Sequence, residues 1–119
     1  MDESNAEIVR RCYAAFADGR REEVERLMAD DLVFTSPDDV GIDRAAYFER
    51  CWPNSGHQRS LTLDRAVEHG DEVLIRYEIE TTDGRRFRNM ELLRVRDGRI
   101  HEVEVYYGAT LAGGDSRDT

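Results

Sequence analysis

The sequence contains no lysine, and its basic residues are fewer than its acidic residues. All 17 strongly basic residues are arginines, scattered without a basic stripe among 26 acidic residues, and the net charge is −9. Nucleic acid and anionic membrane surfaces are therefore not expected partners. No apolar run approaches the roughly 20 residues that span a bilayer, and the first residues are acidic where a signal peptide would be basic and then apolar. We expect a cytoplasmic protein.

Cysteine and the usual ligand-binding motifs are also scarce. Cys12 and Cys51 each fall on the apolar stripe of a predicted helix, which indicates buried, reduced thiols rather than a disulfide or a catalytic thiolate. The spacing of His57, His69 and His101 matches no metal motif. The chain has no glycine-rich phosphate loop, nucleophile elbow or Cys-x-x-Cys pair. We expect neither a metal nor a cofactor.

The sequence does contain a series of strand-like runs joined by tight turns. Residues 85–108 form two such runs joined at Asp97-Gly98, and Asp-Gly between apolar runs is a strong hairpin signal because a primed turn needs positive φ at both central residues. Residues 73–82 enter this stretch through Asp83-Gly84, and residues 61–69 precede them. The C-terminal half is therefore predicted to be an antiparallel meander of four strands.

The N-terminal half has the pattern of helices around one short strand. The predicted elements are helices over residues 5–17 and 21–29, a strand over 32–35, and a third helix between Asp43 and Pro53. Ser4 and Glu7 fit a capping box at the start of the first helix. This order predicts an α+β domain over residues 1–112 with its helices on one face of a curled sheet, and a disordered tail over 113–119.

The two faces of the meander follow from its turns. Strict two-residue turns at Asp83-Gly84 and Asp97-Gly98 create one largely apolar face, which must lie under the helices. That face comprises Val73, Ile75, Tyr77, Ile79, Met90, Leu92, Val103, Val105 and Tyr107. The opposite, outer face comprises Arg76, Glu78, Asn89, Glu91, Glu104 and Tyr106.

One β-bulge would reverse part of this assignment and turn Asn89 and Glu91 inward. Strict pairing across the turn that precedes residue 72 also puts Leu61, Leu63 and Val67 on the polar face. We therefore expect at least one irregularity in the sheet.

With these elements in order, residues 5–110 resemble the nuclear transport factor 2-like superfamily, and within it the SnoaL-like and ketosteroid isomerase-like proteins. The matching motifs are residues 13–16, Ala29-Asp30-Asp31 before a strand that ends at Pro37, Asp97-Gly98-Arg99-Ile100, and residues 103–108. The resemblance implies a cone: a curved antiparallel (mixed) sheet with three N-terminal helices packed on its concave face around an apolar cavity. It also implies a homodimer.

The resemblance further implies roles for single residues. In the steroid isomerase, a tyrosine of the first helix and an acid on a late strand donate hydrogen bonds to a dienolate oxygen, while an Asp before a proline moves the proton. The matching positions are Tyr13, Glu91 and Ser36. A serine cannot act as that base. For this role to be filled, the neighbouring Asp38 must take the place of Ser36. SnoaL-type polyketide cyclases use an Asp on the last strand, where residues 103–105 offer no inward acid.

A physical argument for Glu91 stands without the resemblance. A carboxyl buried in an apolar cone has a raised pKa, so it donates a hydrogen bond or moves a proton near neutrality. The alternative is a surface carboxylate paired with Arg76 across the ladder. Tyr13 has the same two interpretations, as a core tyrosine with its hydroxyl at a cavity or as a catalytic donor.

Two classes of function follow. The first is a binding module whose cone holds a small apolar ligand without chemistry. Its expected lining includes Phe16, Phe34, Trp52, Met90, Val103 and Tyr107. The second is a cofactor-free acid/base enzyme, an isomerase, cyclase or hydratase for a carbonyl compound, with Tyr13 and Glu91 as donors and Asp38 as base. A third, less favoured function is assembly as a homodimer through the outer sheet face.

Overall fold

A computed structural model describes residues 3–54, 60–109 and 111 of the chain. Within these ranges the helices are α1 (Asn5–Ala17), α2 (Arg21–Leu27) and α3 (Arg44–Arg50), followed by a 3-10 helix at Trp52–Asn54. The strands are β1 (Met28–Thr35), β2 (Ser60–His69), β3 (Glu72–Glu80), β4 (Arg86–Arg96) and β5 (Arg99–Tyr106). The tail over residues 113–119 and the loop that holds His57 lie outside the described residues.

The helices begin where their capping residues predict. Ser4 accepts a hydrogen bond from the backbone of Glu7 while the Glu7 side chain accepts one from the backbone of Ser4, so the predicted capping box is confirmed. Asp43 caps α3 in the same way through the backbone N–H of Ala46. No helix in the described ranges is long and apolar enough to cross a membrane.

The second helix is shorter than predicted, because its last residues belong to a strand. α2 ends at Leu27, and Met28 already pairs with Ile100 of β5. Met28 and Ala29 are buried there, so their apolar side chains fit a strand in the core as well as they fit the stripe of a helix. β1 is consequently longer than the four residues expected.

The five strands form one mixed sheet in the order β1-β5-β4-β3-β2. β2 to β5 are the predicted antiparallel meander, and β1 pairs with β5 in parallel. The helices bury one face of the sheet, with Val9 of α1, Ile75 of β3 and Leu93 of β4 fully inaccessible. Each such side chain contributes about 1.5 to 3 kcal/mol of burial free energy. The predicted α+β fold, a curved mixed sheet with three helices, is confirmed.

The last hairpin has the predicted tight turn. Asp97 and Gly98 both have positive φ, 54° and 75°, and Arg96 pairs with Arg99 across them. The register then shifts between Arg94 and Val95, because β5 contains one extra residue there. This bulge restores the alternation that brings Val103 and Val105 to the inner face.

The turn at Asp83-Gly84 differs from the prediction, and the difference decides which side chains face the helices. Gly84 donates from its backbone to Thr81, and Thr81 donates to Arg85, so three residues rather than two form the loop. Gly84 has a φ of 91°, which is typical of a three-residue hairpin loop that ends in a glycine bulge. The extra loop residue moves the register of β4 against β3 by one position.

This shift corrects the predicted faces. Ile75 pairs with Glu91 and Tyr77 pairs with Asn89, so both polar residues of β4 point inward and are 4% exposed. The prediction that Met90 and Leu92 lie under the helices was wrong, since each alternates with Glu91 along β4 and points outward. The alternative, in which an irregularity turns Asn89 and Glu91 inward, is the one that the structure shows.

The irregularity expected in the first strand of the meander is also present. The register of β2 against β3 shifts between Leu63 and Arg65, which leaves Asp64 as the extra residue. Beyond this bulge Leu61 and Leu63 pack against the core, while Val67 remains on the outer face and is 51% exposed. The bulge therefore adds apolar side chains of the edge strand β2 to the inner surface of the sheet.

Candidate functional site

A cavity of about 560 Å³ lies between the inner face of the sheet and the helices α1 and α3. Its lining is mostly apolar and aromatic, with a few polar side chains among them. The lining residues are Cys12, Tyr13, Phe16, Met28, Phe34, Tyr47, Cys51, Leu61, Tyr77, Ile79, Thr81, Phe87, Asn89, Glu91, Val103, Val105, Tyr107 and Gly108. An apolar pocket with a few convergent polar groups is typical of a small-molecule site.

A second depression, of about 660 Å³, lies outside the cone between α2 and α3. It is a shallow surface groove, and charged side chains such as Arg21, Glu25 and Arg44 form much of its wall. Charged groups of both signs that remain in contact with water do not need a ligand. The interior cavity is therefore the candidate site.

Glu91 is the most unusual group on the cavity wall. Two-residue turns would place Glu91 on the solvent side of the sheet. The three-residue loop at Asp83-Gly84 instead turns it into the cone, where its side chain contacts two tyrosines. The hydroxyl of Tyr13 on α1 is hydrogen-bonded to Oε1, and the hydroxyl of Tyr77 on β3 donates to Oε2 over 2.5 Å. The structure thus brings the predicted pair Tyr13 and Glu91 together.

Two further groups extend this cluster towards the end of β5. The amide nitrogen of Asn89 donates to the hydroxyl of Tyr77 over 3.2 Å, and the backbone N–H of Gly108 donates to Oδ1 of Asn89 over 3.0 Å. Glycine is required at position 108 because a Cβ atom there would lie 1.9 Å from the backbone oxygen of Arg88. We call Tyr13, Glu91, Tyr77 and Asn89 the tyrosine–glutamate cluster.

Burial dominates the electrostatics of this cluster. Removal from water raises the pKa of Glu91 from an ordinary value of 4.5 to about 8, because its neighbours are neutral hydroxyls that stabilise the charge less than water does. Burial also raises the pKa of Tyr77 to about 12, which the hydrogen bond from Asn89 partly opposes. Glu91 is therefore mostly protonated at neutral pH, and it can donate or accept a proton there.

A second polar group of side chains lies at the end of β1. Ser36 is buried, and its hydroxyl accepts hydrogen bonds from the backbone N–H groups of Asp38 and Asp39, both at 3.2 Å. The hydroxyl of Tyr107 donates to Oδ2 of Asp38 over 3.3 Å. Burial raises the pKa of Tyr107, and the nearby charge of Asp38 adds to the effect. Asp38 is exposed and does not itself line the cavity.

The remaining predicted lining residues divide into two groups. Phe16, Phe34, Val103 and Tyr107 lie on the cavity wall. Trp52 is not among the described lining residues and packs edge-on against Phe16, with 5.6 Å between ring centroids. The prediction that Met90 lines the cone was wrong, because Met90 is on the outer face and 39% exposed.

No sequence motif marks Tyr77, Asn89 or Gly108 as a site residue. Tyr77 was expected on the inner face, but only as part of an apolar surface. When the loop at Asp83-Gly84 has three residues, Tyr77 lies opposite Asn89. This cross-strand pair of polar groups next to Glu91 is the sequence signal that could have indicated the site.

Both cysteines are free thiols on the cavity wall. Burial raises the pKa of Cys12 to about 12, with the nearby Glu91 carboxylate as a smaller cause, and burial raises the pKa of Cys51 to about 11. Protonated thiols are poor nucleophiles, which agrees with the expectation of unreactive cysteines. No group of His, Cys, Asp and Glu side chains suited to a metal ion occurs in the described part of the chain.

Comparisons with known proteins agree with this geometry. The profile of the SnoaL-like domain matches residues 9–103 of the chain. The structure of IdmH from Streptomyces antibioticus, provisionally named a polyketide cyclase, is 26% identical, with coverage of 88% of this chain and 92% of IdmH and a TM-score of 0.74. No functionally curated protein matches the chain.

Two more distant structures share the fold. A provisionally named ketosteroid isomerase from Kribbella flavida is 19% identical, with coverage of 96% of this chain and 84% of that protein and a TM-score of 0.78. A protein with a cystatin-like fold from Xanthomonas campestris is 19% identical, with coverage of 90% and 92% and a TM-score of 0.76. The resemblance drawn from the sequence is confirmed.

Proposed function

Because this chain belongs to the SnoaL-like domain family and its cavity holds a buried carboxyl, we propose that it is a cofactor-free acid/base enzyme for a small, largely apolar carbonyl compound. The observation that carries the proposal is the contact between Glu91 and Tyr13 on the cavity wall. The provisional names of the two neighbours, a polyketide cyclase and a ketosteroid isomerase, point to carbonyl substrates as well.

The geometry supports stabilisation of a developing oxyanion. When protonated Glu91 donates from Oε1 to the Tyr13 oxygen, in place of the bond that Tyr13 donates to Oε1, the Tyr13 proton is free to donate to a ligand carbonyl oxygen. When a proton leaves the carbon beside that carbonyl, negative charge grows on the oxygen and this hydrogen bond strengthens. A donor that acts in this way contributes roughly 3 to 4 kcal/mol to the transition state.

The base in this proposal is Asp38. Ser36 stands at the position that the steroid isomerase fills with its base, and its hydroxyl already accepts two backbone hydrogen bonds. Asp38 is two residues further on and contacts Tyr107, which is on the cavity wall. To act as the base, the Asp38 carboxylate must move from this contact with Tyr107 towards the bound ligand.

A second function, ligand binding without chemistry, is favoured by one specific observation. Asp38 is exposed and lies outside the lining of the cavity, so the described lining residues supply a hydrogen-bond donor but no base in contact with a ligand. A binding module needs only the apolar wall and the donor. The test must therefore separate turnover from binding.

The test is to screen conjugated ketones and polyketide-like aldehydes for deuterium exchange, and to compare the parent with Tyr13→Phe and Glu91→Gln. Tyr13→Phe is expected to lower kcat by about 10²- to 10³-fold and to change ground-state affinity little. Tyr106→Phe, which removes a hydroxyl from the outer face, is the matched control and should leave turnover unchanged. Turnover that survives both cavity changes would contradict the proposed roles.

A failed screen has its own meaning. If no carbonyl compound exchanges, while apolar ligands still raise the melting temperature of the parent, the chain is a binding module. If no apolar ligand raises the melting temperature, the cavity is not a ligand site, and both functions are excluded.

We also propose a homodimer through the outer sheet face. The corrected register replaces Asn89 and Glu91 on that face with Met90 and Leu92. An apolar strip then crosses the sheet where Val67, Leu74 and Leu92 lie side by side and Met90 lies opposite Tyr106. Leu74 is 40% and Tyr106 59% exposed, which is typical of side chains that a partner covers.

The dimer is tested by light scattering at micromolar concentration. A specific interface of this kind buries about 800 Å² per subunit, so the parent should scatter as twice the mass of the chain. Met90→Asp should give monomers, whereas Val40→Asp, at an exposed position in the loop after β1, should not. A parent that is monomeric throughout would rule out this assembly.

A further inference from the structure

The tyrosine–glutamate cluster is a single chain of hydrogen bonds, and one end of this chain has a fixed direction. The backbone N–H of Gly108 can only donate, and it points at the side-chain oxygen of Asn89 over 3.0 Å. This contact orients the amide, so the nitrogen of Asn89 faces the Tyr77 hydroxyl, 3.2 Å away, and must donate to it. Tyr77 therefore accepts a hydrogen bond on this side.

The direction of hydrogen-bond donation continues from Tyr77 to Glu91. Tyr77 has one hydroxyl proton to donate, and in the described part of the chain its only other hydrogen-bond partner is Oε2 of Glu91, at 2.5 Å. A buried hydroxyl proton without an acceptor is costly, so Tyr77 donates to Oε2. Oε2 is then an acceptor, and a protonated Glu91 must carry its proton on Oε1.

Oε1 is the oxygen that contacts Tyr13, and this contact determines what Tyr13 offers to the cavity. When Oε1 donates to the Tyr13 oxygen, the Tyr13 proton has no acceptor within the cluster and points into the cavity that Tyr13 lines. We propose that Asn89 and Tyr77 are positioning residues that set the direction of this chain, so that Tyr13 presents a proton to the ligand. The ligand atom there is then an oxygen that only accepts, such as a carbonyl, enolate or phenolate oxygen.

The inference rests on the proposed function for its ligand, but the direction of the chain exists without one. Loss of the Glu91 proton reverses the last bond, because the carboxylate accepts from both tyrosines and Tyr13 turns its proton away from the cavity. In the part of the chain that the structure describes, the titratable groups that face Glu91 are Cys12 and Tyr13 from α1 and Tyr77 from β3, with Tyr107 beyond Tyr77. None of them is cationic.

The direction can be read by NMR in the free protein after Glu91→Gln. The introduced amide has one donor and one acceptor end, so it should place its nitrogen at Tyr13 and its oxygen at Tyr77. We expect stronger nuclear Overhauser effects from the side-chain amide protons to the Tyr13 ring than to the Tyr77 ring. The opposite pattern, or equal effects to the two rings, would overturn the inference.

A second measurement separates positioning from simple structural support. The Glu91 carboxyl is titrated by carbon-13 NMR in the parent, Asn89→Leu and Tyr77→Phe. Loss of the Tyr77 donor to the carboxylate should raise its pKa by about one to two units in Tyr77→Phe, and loss of the Asn89 bond that polarises the Tyr77 hydroxyl should raise it by a few tenths of a unit in Asn89→Leu. A merely structural role predicts the opposite sign, since a loosened cavity admits water and lowers the pKa, and that result would overturn the inference.

The two proposals fail in distinguishable ways. If the NMR results are as expected but no carbonyl compound binds, the direction of the chain stands and the proposed function falls. If carbonyl compounds bind and Tyr13→Phe lowers turnover while the amide faces the other way, the proposed function stands and the roles of Asn89 and Tyr77 fall.

Discussion

Glu78 and Glu91 occupy neighbouring strands of the same sheet and have opposite surroundings. Glu78 on β3 points outward and is paired with Arg86 and Arg88, at 3.2 and 3.4 Å. Glu91 on β4 points inward, where its partners are the hydroxyls of Tyr13 and Tyr77. The same type of side chain thus lies between arginines on the partly exposed outer face and among buried hydroxyls on the inner one.

The partners decide how each face uses its acidic groups. On the outer face Arg76 holds the pKa of Asp64 below its ordinary value through a two-pronged hydrogen bond. Inside the cone none of the described arginines faces Glu91, and burial raises the pKa of this carboxyl. The outer arrangement favours the charged form of Asp64 and the inner one favours the neutral form of Glu91, as the proposed proton transfer at neutral pH requires.

The largest expected difference between the two faces is in the pH dependence of stability. Since the pKa of Glu91 is raised from 4.5 to about 8, the folded state keeps a proton that the unfolded state has lost in this window. The contribution of Glu91 to stability is therefore fully present below pH 4.5 and decreases by about 3 to 5 kcal/mol as pH rises to about 8. Glu91→Gln should remove this fall, as measured by denaturant unfolding at pH 5, 7 and 9.

Glu78→Gln is the control for that comparison, because it makes the same change on the outer face. It should leave the pH dependence of the parent intact. If Glu91→Gln also leaves that dependence intact, Glu91 is not the buried acid that we describe.

A smaller effect is expected where the cluster meets the end of β5. Gly108→Ala forces a Cβ atom against the backbone oxygen of Arg88, so the chain must move and the bond from Gly108 to Asn89 must lengthen. We expect a loss of about 1 to 3 kcal/mol in the free energy of unfolding. A stability within error of the parent in denaturant unfolding would show that position 108 is not tightly packed.

The sequence predicted the elements of this fold better than the orientation of the site. The capping box at Ser4 and the turn at Asp97-Gly98 are local features. The residues of each strongly favour one backbone geometry, so the sequence predicts it. Asp83-Gly84 is equally local, but the dipeptide fits loops of two and of three residues. One residue of loop length decides whether Glu91 is outside or inside.

Two other features depended on contacts that are distant along the chain. The parallel pairing of β1 with β5 joins Met28 to Ile100, and nothing near Met28 distinguishes a strand from the last turn of α2. The role of Asn89 needs Gly108, which comes from the end of the next strand. Such pairs of residues can be recognised only when the register of the whole sheet is known.

The smallest expected effect belongs to the ion pairs of the outer face. Asp64 is exposed and Arg76 is partly exposed, so the attraction between them is screened by salt. Asp64→Asn should cause a slight loss of melting temperature at low salt that disappears near about 1 M salt, where the screening length is a few ångströms. A large loss that persists in salt would mean that this pair acts like the buried cluster.

The most direct test of the account is the titration of Glu91 itself in the parent protein. Carbon-13 labelling of glutamate side chains, with Glu91→Gln to assign the signal, follows the carboxyl shift from pH 3 to 10. We predict a midpoint near pH 8, because the carboxyl is buried among hydroxyls. A midpoint near the ordinary value of 4.5 would mean that Glu91 is charged at neutral pH, and the proposed donor role of the cluster would be contradicted.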